Sequence, residues 1–175
     1  WPILGSTGSM IPLSVTRWRD IVSSLNPHTY GIEEDLLVAM VWQESTGDPA
    51  AIRFEIAWRY FWHPKPDQGL YRADWSVEQN RSNAWNILGS TEFYSQSFSW
   101  GLLQVMGSVA RELGLKGYLA KLVDPEIGLK MGLLHFQKKL KQAKGDLKKA
   151  LLFYNGGGNE GYATEVLAKH EEIKG

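Results

Sequence analysis

The stretch from Asp124-Pro125 to Lys144 constrains the fold most. It is long, amphipathic and opens with an Asp placed to cap a helix, followed by a Pro at the first helical position. The same grammar recurs along the chain. Residues 15–25 read as a short helix closed by Asn26-Pro27. Gly31 precedes Ile32-Glu33-Glu34-Asp35, an acidic first turn suited to the positive end of a helix dipole, and Thr46-Gly47-Asp48-Pro49 stops the helix that follows. Further helices are expected over Ser76–Leu88, Gly101–Leu115, Leu147–Tyr154 and Gly161–Ile173. No convincing alternating strand run appears, although the 56–100 segment can hold a small β-hairpin arm, with Glu92–Trp100 as the candidate. The expected fold class is mainly α, in one compact domain. Residues 1–14 are expected as an irregular N-terminal arm.

Composition narrows the function classes. The 175 residues suffice for one domain with a core. The formal net charge is zero, so global charge argues for neither nucleic acid nor an anionic membrane. With no cysteine, disulfides, thiolate zinc sites and cysteine nucleophiles are excluded. No apolar run reaches the roughly 18 residues of a membrane span. The N-terminal Trp1-Pro2-Ile3-Leu4 does not read as a signal peptide. His28, His63, His135 and His170 are scattered without ligand spacing, so neither a metal nor a cofactor is expected. The lysines between Lys138 and Lys149 read as a solvated basic face. Eight Trp exceed what a core needs. They either pack or line a groove, where aromatic faces suit sugar rings.

Glu44 is the residue with the most chemical content. Leu37, Met40 and Val41 precede it by seven, four and three positions and share its helix face. That apolar face should point inward and carry Glu44 with it in the last turn. Desolvation and the negative end of the helix dipole then both raise its pKa. A carboxylic acid protonated near neutrality can serve as a general acid. The plainer alternative is a carboxyl that reaches solvent at a frayed helix end.

Two further segments stand beside it. In Gly101-Leu102-Leu103-Gln104-Val105, the glycine permits close backbone approach, and Gln104 is a neutral donor and acceptor among apolar residues. It suits a sugar hydroxyl or acetamido group, or it lies on a helix surface. Tyr154-Asn155-Gly156-Gly157 ends a helix with a left-handed turn. Tyr154 falls on the inward face, so its hydroxyl needs a partner: a carboxyl oxygen of Glu44, a backbone carbonyl or water. Tyr162 lines the same cleft or simply packs.

In this order, Glu44-Ser45, Gly101-Leu102-Leu103-Gln104 and Phe153-Tyr154-Asn155-Gly156-Gly157 resemble the motifs of the lysozyme-like lytic transglycosylases, the soluble-transglycosylase and goose-type lysozyme group. The resemblance covers roughly residues 32–56 and 98–170. It implies a mostly helical lysozyme-like fold and cleavage of the β-1,4 bond between N-acetylmuramic acid and N-acetylglucosamine. Glu44 would be the sole acid/base, and the product a 1,6-anhydromuramyl sugar. Ser45 and Gln104 would contact substrate, with Asn155 and Tyr162 lining the site and Tyr154 holding Glu44. The implied partner is the peptidoglycan glycan strand, met by a monomer in the periplasm or outside the cell, with a phage-encoded lysin as one possible source. A goose-type muramidase and a non-catalytic glycan-binding virion module stay open as alternatives.

The chain departs from the family in two places. The gap from Ser45 to Gly101 is long, so the aromatic segment 56–98 reads as an insertion: a lid, a saccharide wall or a docking element. Glu55 follows in Ala51-Ile52-Arg53-Phe54-Glu55. It either activates water, as an inverting hydrolase requires of a carboxyl roughly 6.5–9.5 Å from the acid, or pairs with Arg53 or Arg59. The ion pair is the favoured expectation.

Overall fold

The computed structural model describes residues 10–175. Most of the expected N-terminal arm lies outside these residues, but Leu13–Thr16 is helical (α1). The helix expected over 15–25 breaks at Arg17-Trp18 and resumes as α2, Arg19–Ser24. The break turns Trp18 toward the end of the next helix, where its indole N–H donates to the Gly47 carbonyl at 2.9 Å.

Helix α3, Glu34–Ser45, is the axis of the molecule. Leu36, Leu37, Val38, Ala39, Met40 and Val41 are consecutive and all buried, so the helix is enclosed on every side rather than along one stripe. Helix α9, Tyr162–Lys174, packs along it. The two run antiparallel, and polar contacts mark both ends. Glu33 meets His170 at 3.1 Å and Lys174 at 2.9 Å, while Glu44 meets Tyr162 at the other end. Helix α7, Pro125–Gln142, has Asp124 as its N-cap and packs on α8, Leu147–Tyr154. Leu129, Leu133 and Phe136 of α7 enter the same core as Leu37 and Met40.

Two further expected elements differ. Residues 92–100 do not form a hairpin: α5, Ser90–Ser97, runs directly into strand β4, Phe98–Trp100. Segment 101–115 is not one helix either. Gly101–Gln104 forms a turn, Val105–Met106 is strand β5, and only Gly107–Glu112 is helical (α6). The reason is β1, Ile52–Phe54, which pairs antiparallel with β4, while β4 pairs with β5. Partners distant in sequence thus override the local helical pattern. The small hairpin arm expected within 56–100 is instead made by β2, Trp62–His63, and β3, Gln68–Gly69, followed by α4, Val77–Leu88, which carries a capping box at Ser76 and Gln79. Its own small core is Phe61, Ala84 and Phe93, with the two phenyl rings stacked at 4.8 Å. Several of the numerous aromatics are therefore packing residues.

Gly101 holds the sheet against the helices. Its φ is +69°, and a Cβ there would sit 2.4 Å from the Leu122 carbonyl oxygen, a backbone atom that cannot yield cheaply. Gly101→Ala is expected to cost roughly 2–3 kcal/mol of stability, read as a lower urea midpoint at unchanged slope.

Candidate active site

Glu44 is the penultimate residue of α3, where the buried helix ends against three other elements. Its Oε1 accepts a hydrogen bond from the Tyr162 hydroxyl at 2.5 Å. The side chain keeps some surface open to solvent, yet protein crowds the carboxyl on most sides. Burial pushes its pKa up to about 7, against the opposing pull of the Tyr162 hydrogen bond and the Arg53 charge. Two helix dipoles also meet here with opposite sign: the negative end of α3 disfavours the carboxylate, and the positive end of α9 favours it. Tyr162 opens α9, so the antiparallel packing of α9 on α3 is what brings phenol to carboxyl. Burial and the nearby carboxyl push the Tyr162 hydroxyl up, and it remains a donor at any working pH.

Tyr154 is not the residue that holds Glu44. It stands at the C-terminal end of α8 and faces the 101–104 turn, where its buried hydroxyl donates to the Leu103 carbonyl at 2.7 Å. The expected role of Tyr154 thus passes to Tyr162, named from the sequence only as a lining residue. Tyr154 instead fixes the turn that follows β4.

Ser45 and Gln104 serve that turn as well. The Ser45 hydroxyl donates to the Leu102 carbonyl at 2.9 Å and accepts from the Gly47 N–H at 3.2 Å. The Gln104 amide donates to the carbonyls of Ala51 and Gly101 at 3.0 and 2.9 Å, while its Oε1 accepts from Ser99 at 2.9 Å. Gln104 itself adopts φ +46°, a left-handed conformation that these bonds stabilise. Both side chains were expected to face substrate; both are occupied by backbone in this structure. Asn155 caps α8, and its amide reaches the Asn159 carbonyl at 3.3 Å across the glycine turn. Glu55 pairs with Arg53 at 2.5 Å, the ion pair favoured from the sequence.

Some contributors are not evident in the sequence. Arg53 stands on β1, and its charge favours the ionised form of Glu44. Gln43 donates to Glu165 on α9 and accepts from Lys169, both at 2.6 Å. This clamp lies one residue from Glu44 on one helix and three from Tyr162 on the other. Ser14 and Trp18 bond the carbonyls of Thr46 and Gly47, tying the end of α3 from the opposite side. Gln43 lies beside the candidate acid in sequence, but its partners are more than 100 residues away. Among the described residues, no group of three or more His, Asp or Glu is placed to hold a metal ion.

The arrangement matches a known family. A family model described as the transglycosylase SLT domain matches residues 24–174. The chain belongs to this family. The match spans α3, the turn after β4 and α9, so Glu44, Gly101–Gln104, Tyr154 and Tyr162 all fall within it. No match is found among curated proteins or among solved structures. Membership of the SLT family brings with it a mostly helical lysozyme-like fold and cleavage of glycan strands in peptidoglycan. No described helix of this SLT domain is long and apolar enough to cross a membrane.

The raised pKa of Glu44 has a thermodynamic signature. The folded protein holds this proton up to about pH 7, while the unfolded chain releases it near 4.5. Between these values the native state binds more protons, so this group makes stability fall as pH rises. A shift of this size corresponds to at most about 3 kcal/mol. Glu44→Gln removes the penalty. The variant is expected to melt above the parent at pH 8, with the gap closing toward pH 4, as measured by scanning calorimetry across that range.

Proposed function

We propose that this SLT domain is a peptidoglycan lytic transglycosylase with Glu44 as its single acid/base. The observation that carries the reading is a carboxyl near pKa 7 whose Oε1 accepts a hydrogen bond from the Tyr162 hydroxyl. Because Tyr162 occupies Oε1, the acidic proton is directed to Oε2, the oxygen left for substrate.

The reaction follows from that placement. Protonated Glu44 gives its proton to the oxygen of the β-1,4 bond as the bond to the muramyl C1 breaks. The developing carboxylate is stabilised by the Tyr162 hydroxyl and the Arg53 charge, the two influences that oppose burial. Glu44 then takes the proton from the muramyl C6 hydroxyl as that oxygen bonds to C1. One bond breaks, one forms, and the proton cycles back to Glu44 with no water consumed. An internal hydroxyl needs orientation rather than a second base, because its effective molarity is high. The Glu55 carboxyl is paired with Arg53, which favours the reading without a second base.

The remaining site residues take positioning roles. Ser45, Gln104 and Tyr154 hold the 101–104 turn, whose backbone borders Glu44 at the end of α3. Asn155 keeps the turn between α8 and Tyr162 in shape. The reading needs no cofactor and places the protein in the periplasm or outside the cell, where peptidoglycan is found.

Digestion of purified sacculi followed by mass spectrometry tests the reading. The expected products carry 1,6-anhydro ends, one water lighter than the reducing ends a muramidase releases. Glu44→Gln is expected to release neither. Products with reducing ends alone would replace this reading with hydrolysis, and binding to sacculi without release by the parent protein would leave only a glycan-binding role.

A pH profile checks the same chemistry. With a free acid of pKa about 7, kcat/KM is expected to fall on the alkaline side of neutrality. Tyr162→Phe removes a bond that lowers this pKa, so the alkaline limb should move up while kcat drops by about ten- to a hundredfold.

A further inference from the structure

Strand β1 is an open edge. Its sheet runs in the order β1-β4-β5, so β1 has a strand partner on one side only. The Gly101 N–H donates to the Ala51 carbonyl at 2.8 Å, and the Glu55 N–H donates to the Ser97 carbonyl at 2.9 Å. Arg53 lies opposite Ser99 between these bonds, so residues 51, 53 and 55 turn their main-chain groups toward β4. Ile52 and Phe54 then turn theirs outward, where no hydrogen bond meets them among the described residues.

Sheet edges are commonly blunted by proline, by a bulge or by a covering element. This one is not. Its pairing with β4 is regular over Ile52–Phe54, no proline interrupts it, and all three residues are exposed. Apolar side chains stand along it: Ile52 is 49 % exposed, Phe54 39 % and Ile56 76 %.

The charges on this edge are complementary to themselves. Arg53 and Glu55 share the face opposite Ile52 and Phe54, and they pair with each other at 2.5 Å. A second copy laid antiparallel along the edge must oppose outward residues to outward residues. A two-fold register centred on Arg53 or on Glu55 sets like charges across the strands, which is unfavourable. Centring on Ile52 sets Arg53 against Ala51. Centring on Phe54 sets Phe54 against its copy, Arg53 against Glu55 twice over, and Ile52 beside Ile56. Only this last register satisfies the main chain, the apolar side chains and the charges together.

We propose that the protein self-associates through this edge as a two-fold dimer, β1 against β1, with Phe54 opposite its copy and Arg53 opposite Glu55 of the second copy. The two sheets become one of six strands, β5-β4-β1-β1-β4-β5. The two-fold axis stands perpendicular to that sheet, so the Arg53 faces of both copies lie on one side of it. A ladder this short belongs with weak, transient interfaces and not with obligate ones. The proposal stands apart from the reaction assigned to Glu44.

Charge reversal tests the register. Arg53→Glu and Glu55→Arg each set like charges across the strands, and each is expected to weaken dimerisation about ten-fold in sedimentation velocity. Mixed in equal amounts, the two variants regain both opposite-charge pairs. The mixture should sediment as a dimer at concentrations where each variant alone is a monomer. A parent that stays monomeric up to about 1 mM overturns the proposal. So does a mixture that stays monomeric while both variants keep the parent's circular dichroism spectrum. A second measurement uses the parent alone, through amide hydrogen exchange at rising concentration. Exchange is expected to slow at Ile52 and Phe54 and to stay unchanged at Arg53, whose N–H is already bonded within the sheet. Dimerisation without slowing at those two amides places the contact elsewhere and refutes the edge, as does slowing there with no change in sedimentation.

Discussion

The structure depends on a helix that ends inside the protein. Helix α3 is apolar on all sides over six consecutive residues, so packing and not a solvated stripe determines its position. Its C-terminal turn must then deliver Glu44 into a crowded place. An ionised carboxylate is costly there, and a neutral one is tolerated when a donor such as Tyr162 meets it. The same crowding that stabilises the fold therefore holds the acid near neutrality. The polar ends of the α3–α9 pair keep the two helices in register: Glu33 with His170 and Lys174 at one end, Gln43 with Glu165 and Lys169 at the other.

The three family motifs divide the labour. Only Glu44 in the first presents a free chemical group. Ser45, Gln104 and Tyr154 all direct their polar atoms to the backbone between Ala51 and Leu103. Residue types that look like substrate ligands in a sequence are here the fasteners of a turn. Ser45 and Tyr154 satisfy the Leu102 and Leu103 carbonyls of the turn, and Gln104 adds a second bond to carbonyls that already accept from the main chain.

Helical elements were legible where capping and periodicity agreed. Asp124 and Pro125 open α7, Ser76 opens α4, and the stop at Thr46-Gly47 closes α3 as their chemistry predicts. What escaped was non-local. Strand β5 sits in a stretch that looks helical until β4 is known to lie beside it, and α5 occupies residues that read as part of a hairpin. The choice between Tyr154 and Tyr162 had the same character. Each is an inward-facing aromatic beside the glycine turn, and only the antiparallel approach of α9 to α3 decides which hydroxyl meets Glu44. Glu44 itself was legible because its apolar neighbours at helical spacing announce burial.

The junction of α5 and β4 has a mechanical consequence. Helix ends at Ser97 and strand begins at Phe98 with no residue between them. The Ser97 carbonyl also accepts from the Glu55 N–H at 2.9 Å, so both exits of the aromatic segment are stitched to each other. A flap needs a pivot, a few linker residues free to change their torsion angles. This segment has none at its C-terminal root, to which Glu55 ties the other. It stands on the sheet as a buttress, and whatever passes over its outer aromatic rings meets a fixed contour instead of a door.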